Sequence, residues 1–196
     1  AAELLEPGVS TAVGWPGKLA SMAQALDNAF VLQTVSSDMA NLADGLQNGM
    51  LYNGPALFSV YASTARASQR VAPYLQAAAA LESRVFPAFT FDPAAGAVLA
   101  DKMSVALTPH CERDWPVDTL DYHDAQGEAA TMESAFTTAD FAVFSGDASQ
   151  HYLPVHAGQW HQNMLPVAEF VDDFDANAGQ KIPYIWMASQ QGKMYR

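Results

Sequence analysis

Ala29-Phe-Val-Leu-Gln-Thr-Val-Ser-Ser-Asp38 is the stretch of sequence that decides the fold. Its first seven residues form a compact, β-rich run, which is typical of a strand buried on both faces. The side chains of Ser36, Ser37 and Asp38 offer oxygen atoms that can cap the N-terminus of a helix. The stretch therefore predicts a strand that leads through a short polar turn into a helix.

The flanking sequence repeats this alternation of helix and strand. Further strands are predicted over 56–61 and 85–91, and a third helix over about 69–82. Because the elements alternate with short links, we expect parallel strands joined by crossover helices, which is an α/β fold with a layered parallel sheet and flanking helices. The first two helices are predicted from apolar residues at helical spacing, whose methionines we interpret as core: Leu19, Met22, Ala23 and Leu26, then Met39, Leu42, Ala43, Leu46 and Met50.

The sequence beyond residue 98 is less regular and predicts a looser α+β extension. Apolar residues at helical spacing predict a short helix over 128–144. The run 182–188 predicts the first strand and turn of a hairpin whose second strand is truncated. We therefore divide the chain into an arm or linker (1–15), an α/β core (16–98) and an extension (99–196), and we expect a piece of a longer polypeptide because the chain lacks an initiator Met.

Charge and composition exclude several classes of protein. The net charge is -12, and residues 99–196 hold 14 acids and 5 bases, so a nucleic-acid partner is not expected. No apolar run approaches the roughly 20 residues that span a bilayer, and no signal peptide is recognisable, so no membrane partner is expected. The single Cys111 excludes an internal disulfide and a cysteine-ligated cluster, which favours a reducing, cytoplasmic setting.

Three ordered segments resemble one enzyme family. Phe30-Val-Leu-Gln-Thr-Val-Ser-Ser-Asp38, Tyr52-Asn-Gly-Pro-Ala-Leu-Phe-Ser-Val-Tyr-Ala62 and Phe86-Pro-Ala-Phe-Thr-Phe-Asp-Pro93 are similar to segments of pyruvate:ferredoxin (flavodoxin) oxidoreductases. The resemblance covers about residues 20–150, including a weaker match over 132–144. It implies the C-terminal part of the thiamine-diphosphate-binding domain, half of that fold, followed by the acidic extension.

The resemblance also implies a cofactor and partners for the parent protein. That family decarboxylates a 2-oxoacid on thiamine diphosphate and passes electrons through iron–sulfur clusters to ferredoxin or flavodoxin. Its Gly-Asp-Gly motif, which with a later Asn binds Mg²⁺, is absent from this chain, as are the cluster cysteines. The resemblance therefore implies a fragment that is non-catalytic alone, that binds no cofactor itself and that works with the rest of its parent polypeptide, with dimerisation as an option.

The loop after the strand 56–61 is the best candidate for contact with a ligand. Ser63, Thr64, Arg66 and Arg70 follow the carboxyl end of this strand, where parallel α/β sheets place their ligands. We expect them to meet the diphosphate or a substrate carboxylate of the parent enzyme. A solvated loop that leads into the next helix is the plainer alternative.

Other possible sites have plainer interpretations. Gly146-Asp147-Ala148 with Asn177 approximates the thiamine motif spacing but lacks its last Gly. His151, His156 and His161 are spaced by five, which does not share a helical face, so loop or surface histidines are expected. A calcium loop at 173–184 is rejected because it lacks the required Gly and Glu, and His110-Cys111-Glu112 is interpreted as an ordinary free thiol.

Two other classes of function stay open. One is a degenerate, non-catalytic scaffold that binds a protein partner through its acidic half. The other is an unrelated small α/β enzyme, which would have a pocket at the strand ends around residues 63–70.

Overall fold

The fold is built around one small mixed sheet. The computed structural model describes residues 16–63, 71–124, 126–144, 152–188 and 193–196. The strands of the main sheet lie in the order β2-β1-β3-β4, which brings together segments that are distant in sequence. Their bounds are β1 Phe30–Val35, β2 Ala56–Tyr61, β3 Phe89–Phe91 and β4 Met103–Ser104.

Helices cover both faces of this sheet, which makes three layers. The helices are α1 Pro16–Ala25, α2 Met39–Leu51 and α3 Pro73–Glu82. Leu32 and Phe30 lie under α2, because they are close to Gly45 and Gly49 of that helix. Alternate side chains of a strand point to opposite faces. Val31 and Val35 therefore face the other side, where they pack in the clusters that contain Ala20 of α1 and Ala77 of α3.

The predicted parallel sheet is confirmed only for its first pair of strands. β1 and β2 are parallel, with Phe30 opposite Ala56 and Val35 opposite Tyr61. β3 pairs with β1 in the antiparallel sense, and β4 pairs with β3 in the same way, so the expectation of parallel strands throughout is wrong. The reason is the place of α3, which packs against Val35 at the carboxyl end of β1. The chain therefore re-enters the sheet from that end and runs back.

The predicted apolar stripes match the buried faces of the first two helices only in part. Leu19, Met22 and Leu26 are 53%, 66% and 70% exposed, and the small Ala20 is buried instead, with Ala23 packed beside it. In α2 the buried residues are Gly45 and Gly49, while Met39 and Met50 are exposed and Leu42 and Leu46 are half-buried. Both helices make their closest approach to the sheet through small residues.

The second half of the chain contains a hairpin and several short elements. β5 and β6 pair in antiparallel register from Val117↔Ala135 to His123↔Ala129. Strand β7 pairs in parallel with β8, and β9 pairs in the antiparallel sense with β10. The bounds are α4 Leu99–Lys102, β5 Val117–His123, β6 Ala129–Ala135, α5 Thr138–Phe144, β7 Met164–Pro166, α6 Val167–Asp172, α7 Phe174–Asn177, β8 Ile182–Tyr184, β9 Met187–Ala188 and β10 Met194–Tyr195.

Two predictions for this half are corrected. The helix predicted over 128–144 is wrong in its first part, because β6 alternates exposed Thr131 and Glu133 with half-buried Ala130 and Met132, which is a strand period. The helix begins only after Thr137, the residue that caps it. The hairpin predicted from the run 182–188 is present only at the end of that run, where β9 pairs with β10, so its second strand is not truncated; Ile182–Tyr184 is a separate strand that pairs with β7.

Aromatic packing joins the second half to the main sheet. Phe141 of α5 is 2% exposed and belongs to the same buried cluster as Val35, Ala77 and Phe86. The Tyr61 ring at the end of β2 lies 6.5 Å from the ring of Phe141. None of the helices in the described parts of the chain has the length and apolarity needed to cross a membrane.

Candidate functional site

The carboxyl ends of β1 and β2 meet at one edge of the sheet, as the parallel pairing requires. The backbone N–H of Ser36 donates to the carbonyl of Tyr61 at 2.8 Å, which joins the two strand ends. Asp38 caps α2, because its carboxylate accepts from the backbone N–H of Asn41 at 3.3 Å and from the Asn41 side-chain amide at 2.6 Å. The predicted turn from strand to capped helix is confirmed.

Ser63 is the only predicted contact residue within the described part of the chain. Its hydroxyl donates to the side-chain carbonyl of Gln76, a residue of α3 that is 2% exposed. Ser63 is half-buried, and the bond to Gln76 turns it towards the protein interior. Thr64, Arg66 and Arg70 lie outside the described residues, so the prediction that they line this edge stays a prediction.

Buried polar groups are concentrated beside this edge. Gln33 and Thr34 of β1 and Gln76 of α3 are each at most 2% exposed. The Gln33 amide donates to the carbonyl of Pro87 at 2.8 Å. The Gln33 side-chain oxygen, the Thr34 hydroxyl and the Gln76 amide nitrogen have no hydrogen-bond partner within the described residues. Because buried polar groups are normally satisfied, these three mark an unusually polar interior next to the strand ends.

The predicted free thiol lies on the surface. Cys111 is exposed and follows His110, whose backbone is in the left-handed region at φ 48°. The His110 ring faces Glu112 at 3.7 Å rather than Cys111, so this contact supplies the thiol with no base. A backbone hydrogen bond, together with His110 and Arg113, holds the pKa of Glu112 below its ordinary value.

The residues that approximate metal motifs have structural partners instead. The Asn177 amide donates to the carbonyls of Glu169 at 3.4 Å and Phe170 at 3.3 Å, and Asp173 caps α7. Gly146, Asp147 and His151 lie outside the described residues. Among the residues that the structure describes, no three His, Cys, Asp or Glu side chains are grouped to hold a metal ion.

A cleft in the second half is the site that the sequence reasoning missed. It has a volume of about 670 Å³ and lies between the β5–β6 hairpin and the segments around Trp160 and Trp186. Its wall includes Tyr122 and His123 of β5, and Lys193. His156, which the sequence assigned to a surface loop, is exposed and also lines this cleft, while its ring packs against Tyr195 at 4.9 Å.

An aromatic cage stands behind this cleft. The guanidinium of Arg196 lies 4.3, 4.5 and 4.9 Å from the ring centroids of Trp160, Tyr184 and Trp186. Two backbone hydrogen bonds between Arg196 and Val155 fix the position of the arginine. The arrangement is a partly buried cation–π cluster, which stabilises both the cation and the mutual orientation of the rings.

Burial raises the pKa of the Tyr184 phenol above its ordinary value of 10.0, and Arg196 opposes that shift. Tyr184 is therefore a neutral ring at physiological pH. A partial signal for the cage was present in the sequence: Tyr184 and Trp186 are two residues apart in a strand-like run, so they can share a face. The contribution of Arg196 and Trp160 depends on tertiary contacts that spacing does not reveal.

Comparison with known proteins gives no further constraint. No family model matches the chain, and neither the curated proteins nor the solved structures contain a significant match. Function is therefore argued from the residues and their geometry.

Proposed function

We propose that this chain forms the distal half of a thiamine-diphosphate-binding α/β unit in a cytoplasmic 2-oxoacid oxidoreductase that resembles pyruvate:ferredoxin (flavodoxin) oxidoreductases. The observation that carries the proposal is the order of strands in the main sheet. The three segments that resemble the family contribute β1, β2 and β3, which are consecutive strands of the chain and lie side by side in one sheet, with β2 parallel and β3 antiparallel to β1. A shared fold would require such adjacency of the resembling segments.

The edge at the carboxyl ends of β1 and β2 is the proposed contact with the ligand. Ligands of open α/β sheets bind in the crevice outside these strand ends. Ser63 and the loop that contains Thr64, Arg66 and Arg70 follow β2 directly. Arginine suits this role because its planar guanidinium can form two parallel hydrogen bonds to a carboxylate or a phosphate.

The metal and the diphosphate are proposed to be held by another segment or subunit. Mg²⁺ needs oxygen ligands, and the Gly-Asp-Gly motif that supplies them in the family is absent from this sequence. The proposed role of this chain is to complete the sheet and to present the loop after Ser63, which carries Thr64, Arg66 and Arg70.

The test compares the chain alone with the assembly recovered from its native host through a tag on this chain. The chain alone should show no heat of binding with thiamine diphosphate and Mg²⁺ in calorimetry, and should not reduce methyl viologen with pyruvate. The assembly should both bind the cofactor and reduce the dye. Arg66→Gln should raise the KM for pyruvate or weaken cofactor binding in the assembly, whereas Arg113→Gln, an exposed arginine of the extension, should change neither.

Micromolar, Mg²⁺-dependent binding of thiamine diphosphate by the chain alone would contradict the proposal, because a complete cofactor site would then lie within it. An assembly without oxoacid-dependent activity would contradict it as well.

The scaffold alternative is favoured by one feature, the exposed face of the β5–β6 hairpin. Asp121 and Glu133 lie on this face, and the half of the chain that contains it holds 14 acids and 5 bases. Such a face fits a partner with a basic surface. Recovery of a basic partner in a complex that lacks oxoacid-dependent activity would favour this alternative.

A further inference from the structure

We propose that the cleft between the β5–β6 hairpin and the Arg196 cage binds a small, planar aromatic ligand that carries an anionic group, such as a mononucleotide. This site is separate from the strand edge as far as the described residues show it, because none of those at the ends of β1 and β2 lines the cleft. The proposal does not depend on the thiamine-diphosphate function.

The aromatic wall of the cleft suits a flat ring. Trp160 and Trp186 line it with their planes at 81° and their centroids 5.3 Å apart, so they form a corner. The Trp160 indole N–H is already bonded to the carbonyl of Val155 at 3.0 Å, so Trp160 can offer a ligand its ring but not this donor. Aromatic rings bind planar bases by stacking without need of a specific hydrogen-bond pattern.

The cage behind the wall holds these rings in place before any ligand arrives. Arg196 contacts Trp160 and Trp186 from one side, and Tyr184, 7% exposed, packs edge-on against Trp186 at 5.2 Å. Side chains that are fixed in the free protein lose little conformational entropy on binding. A surface cluster of this kind is a prepared site rather than a flexible patch.

The charge around the cleft differs from the acidic surface of this half of the chain. Lys193 and the imidazoles of His123 and His156 line it, and the Arg196 guanidinium lies directly behind its indoles. Asp124 is the acid in the lining, and its carboxylate accepts from the backbone N–H groups of Gln126 and Glu128, both at 2.9 Å. Among the described lining residues, one lysine and two histidines therefore stand against one hydrogen-bonded acid, which favours an anionic ligand.

The size of the cleft also fits. Its volume of about 670 Å³ lies within the roughly 300–1,000 Å³ typical of small-molecule sites. A nucleobase in the tryptophan corner would leave room for a sugar and a phosphate towards Lys193 and His123.

The experiment is a tryptophan-fluorescence titration of the chain with AMP, excited at the long-wavelength edge of the indole band where adenine does not absorb. We expect saturable quenching by AMP, and at least about tenfold weaker binding of adenosine and of inorganic phosphate, which each supply half of the recognised chemistry. Lys193→Gln should weaken AMP binding several-fold and leave adenosine unchanged. Lys181→Gln, an exposed lysine that does not line the cleft, is the matched control and should change neither.

The tryptophan corner is tested by Trp186→Leu against Trp115→Leu, a half-buried tryptophan that does not line the cleft. Trp186→Leu should weaken AMP binding about tenfold or more. Far-UV circular dichroism establishes whether each variant is folded. If Trp186→Leu is not folded, the exposed His123→Gln tests the phosphate end of the cleft instead and should weaken AMP binding. The proposal is overturned if AMP causes no saturable quenching, if adenosine binds as tightly as AMP, or if the control substitutions have the same effect as the cleft substitutions.

These results are distinguishable from a failure of the proposed function. Binding in the cleft requires no Mg²⁺ and is sensitive to Lys193→Gln, whereas the strand-edge proposal concerns Mg²⁺-dependent cofactor binding and oxoacid turnover in the assembly.

Discussion

At the scale of a single residue, Asp140 shows how burial and hydrogen bonding compete. Its carboxylate accepts from the backbone N–H and the hydroxyl of Thr137, at 2.7 and 2.6 Å, and so closes the first turn of α5. These bonds lower the pKa of Asp140, but burial has the larger effect and raises it above the ordinary value of 3.8. The charged form of Asp140 is therefore less favoured in the folded protein than in the unfolded chain.

This shift predicts a pH dependence of stability. The stabilising contribution of Asp140 should be fully present below pH 3.8 and should be lost as the pH rises through the raised folded-state pKa. Urea unfolding of the wild type and of Asp140→Asn, which does not titrate, measures it: the free energy of unfolding of the wild type should fall relative to that of the variant as the pH rises from about 4. A relative increase would instead mean that the Thr137 hydrogen bonds outweigh burial.

At the scale of an element, α2 lies close to the sheet because it carries glycine on its buried face. A Cβ atom added to Gly49 would lie 2.6 Å from Phe58 Cε1 and 2.8 Å from Phe30 Cδ1. A Cβ added to Gly45 would meet Leu32 Cδ1 at 2.6 Å, which is the far end of a flexible side chain. Helix propensity alone favours alanine over glycine by about 1 kcal/mol, so the packing decides the sign of each substitution.

We predict that Gly49→Ala lowers the free energy of unfolding by about 1–3 kcal/mol, because two phenylalanine rings or the whole helix must shift. Gly45→Ala should cost less, since a single side chain, the buried Leu32, has to move. Asn48→Ala, at an exposed position of the same helix, is the control and should change stability by no more than about 0.7 kcal/mol. Chemical denaturation measures all three, and an equal or greater cost for Gly45→Ala would contradict this account of the contact.

Local chemistry made some elements predictable and left others out of reach. The β1–α2–β2 unit could be predicted because neighbouring residues in the sequence encode each of its parts. These are the apolar run of the buried strand β1, the Asp38 cap of α2, and the Gly54-Pro55 pair after α2, which cannot continue a helix. The buried faces of α1 and α2 could not be predicted in the same way. Small residues such as Ala20 and Gly49 allow these helices to approach the sheet closely, and the spacing of large apolar side chains does not indicate such an approach. The direction of β3 depends on where α3 packs, and the spacing of residues along the chain does not predict that packing.

The same limit applies to the candidate sites. Ser63 could be proposed as a contact residue because it follows a recognisable strand, but its hydrogen bond to Gln76 could not be predicted. The cleft unites Tyr122, Trp160 and Lys193 from three separate segments. Only folding brings such residues together, so no sequence motif predicted the cleft.

At the scale of the whole molecule, the acidic half and the sheet share one buried cluster. Phe141 inserts from α5 among Val35 of β1, Ala77 of α3 and Phe86. Thr138 of the same helix donates through its hydroxyl to the carbonyl of Ser83 at 3.1 Å. Lys102 and Asp27 form a further link between the halves, an ion pair at 2.7 Å. Since exposed ion pairs contribute little, the aromatic contact should dominate the coupling.

We therefore predict that Phe141→Ala lowers the free energy of unfolding by roughly 3–5 kcal/mol, the usual cost of removing a buried phenylalanine. Far-UV circular dichroism reports on the helices around the sheet, whereas the fluorescence of Trp160 and Trp186 reports on the second half. In urea the two signals should change together in the wild type, as a single cooperative unit requires. Phe174→Ala, at a position that is 58% exposed, should shift neither curve appreciably. If Phe141→Ala moved only the fluorescence transition, the two halves would unfold independently, and the cluster at Phe141 would be a contact between units rather than a common core.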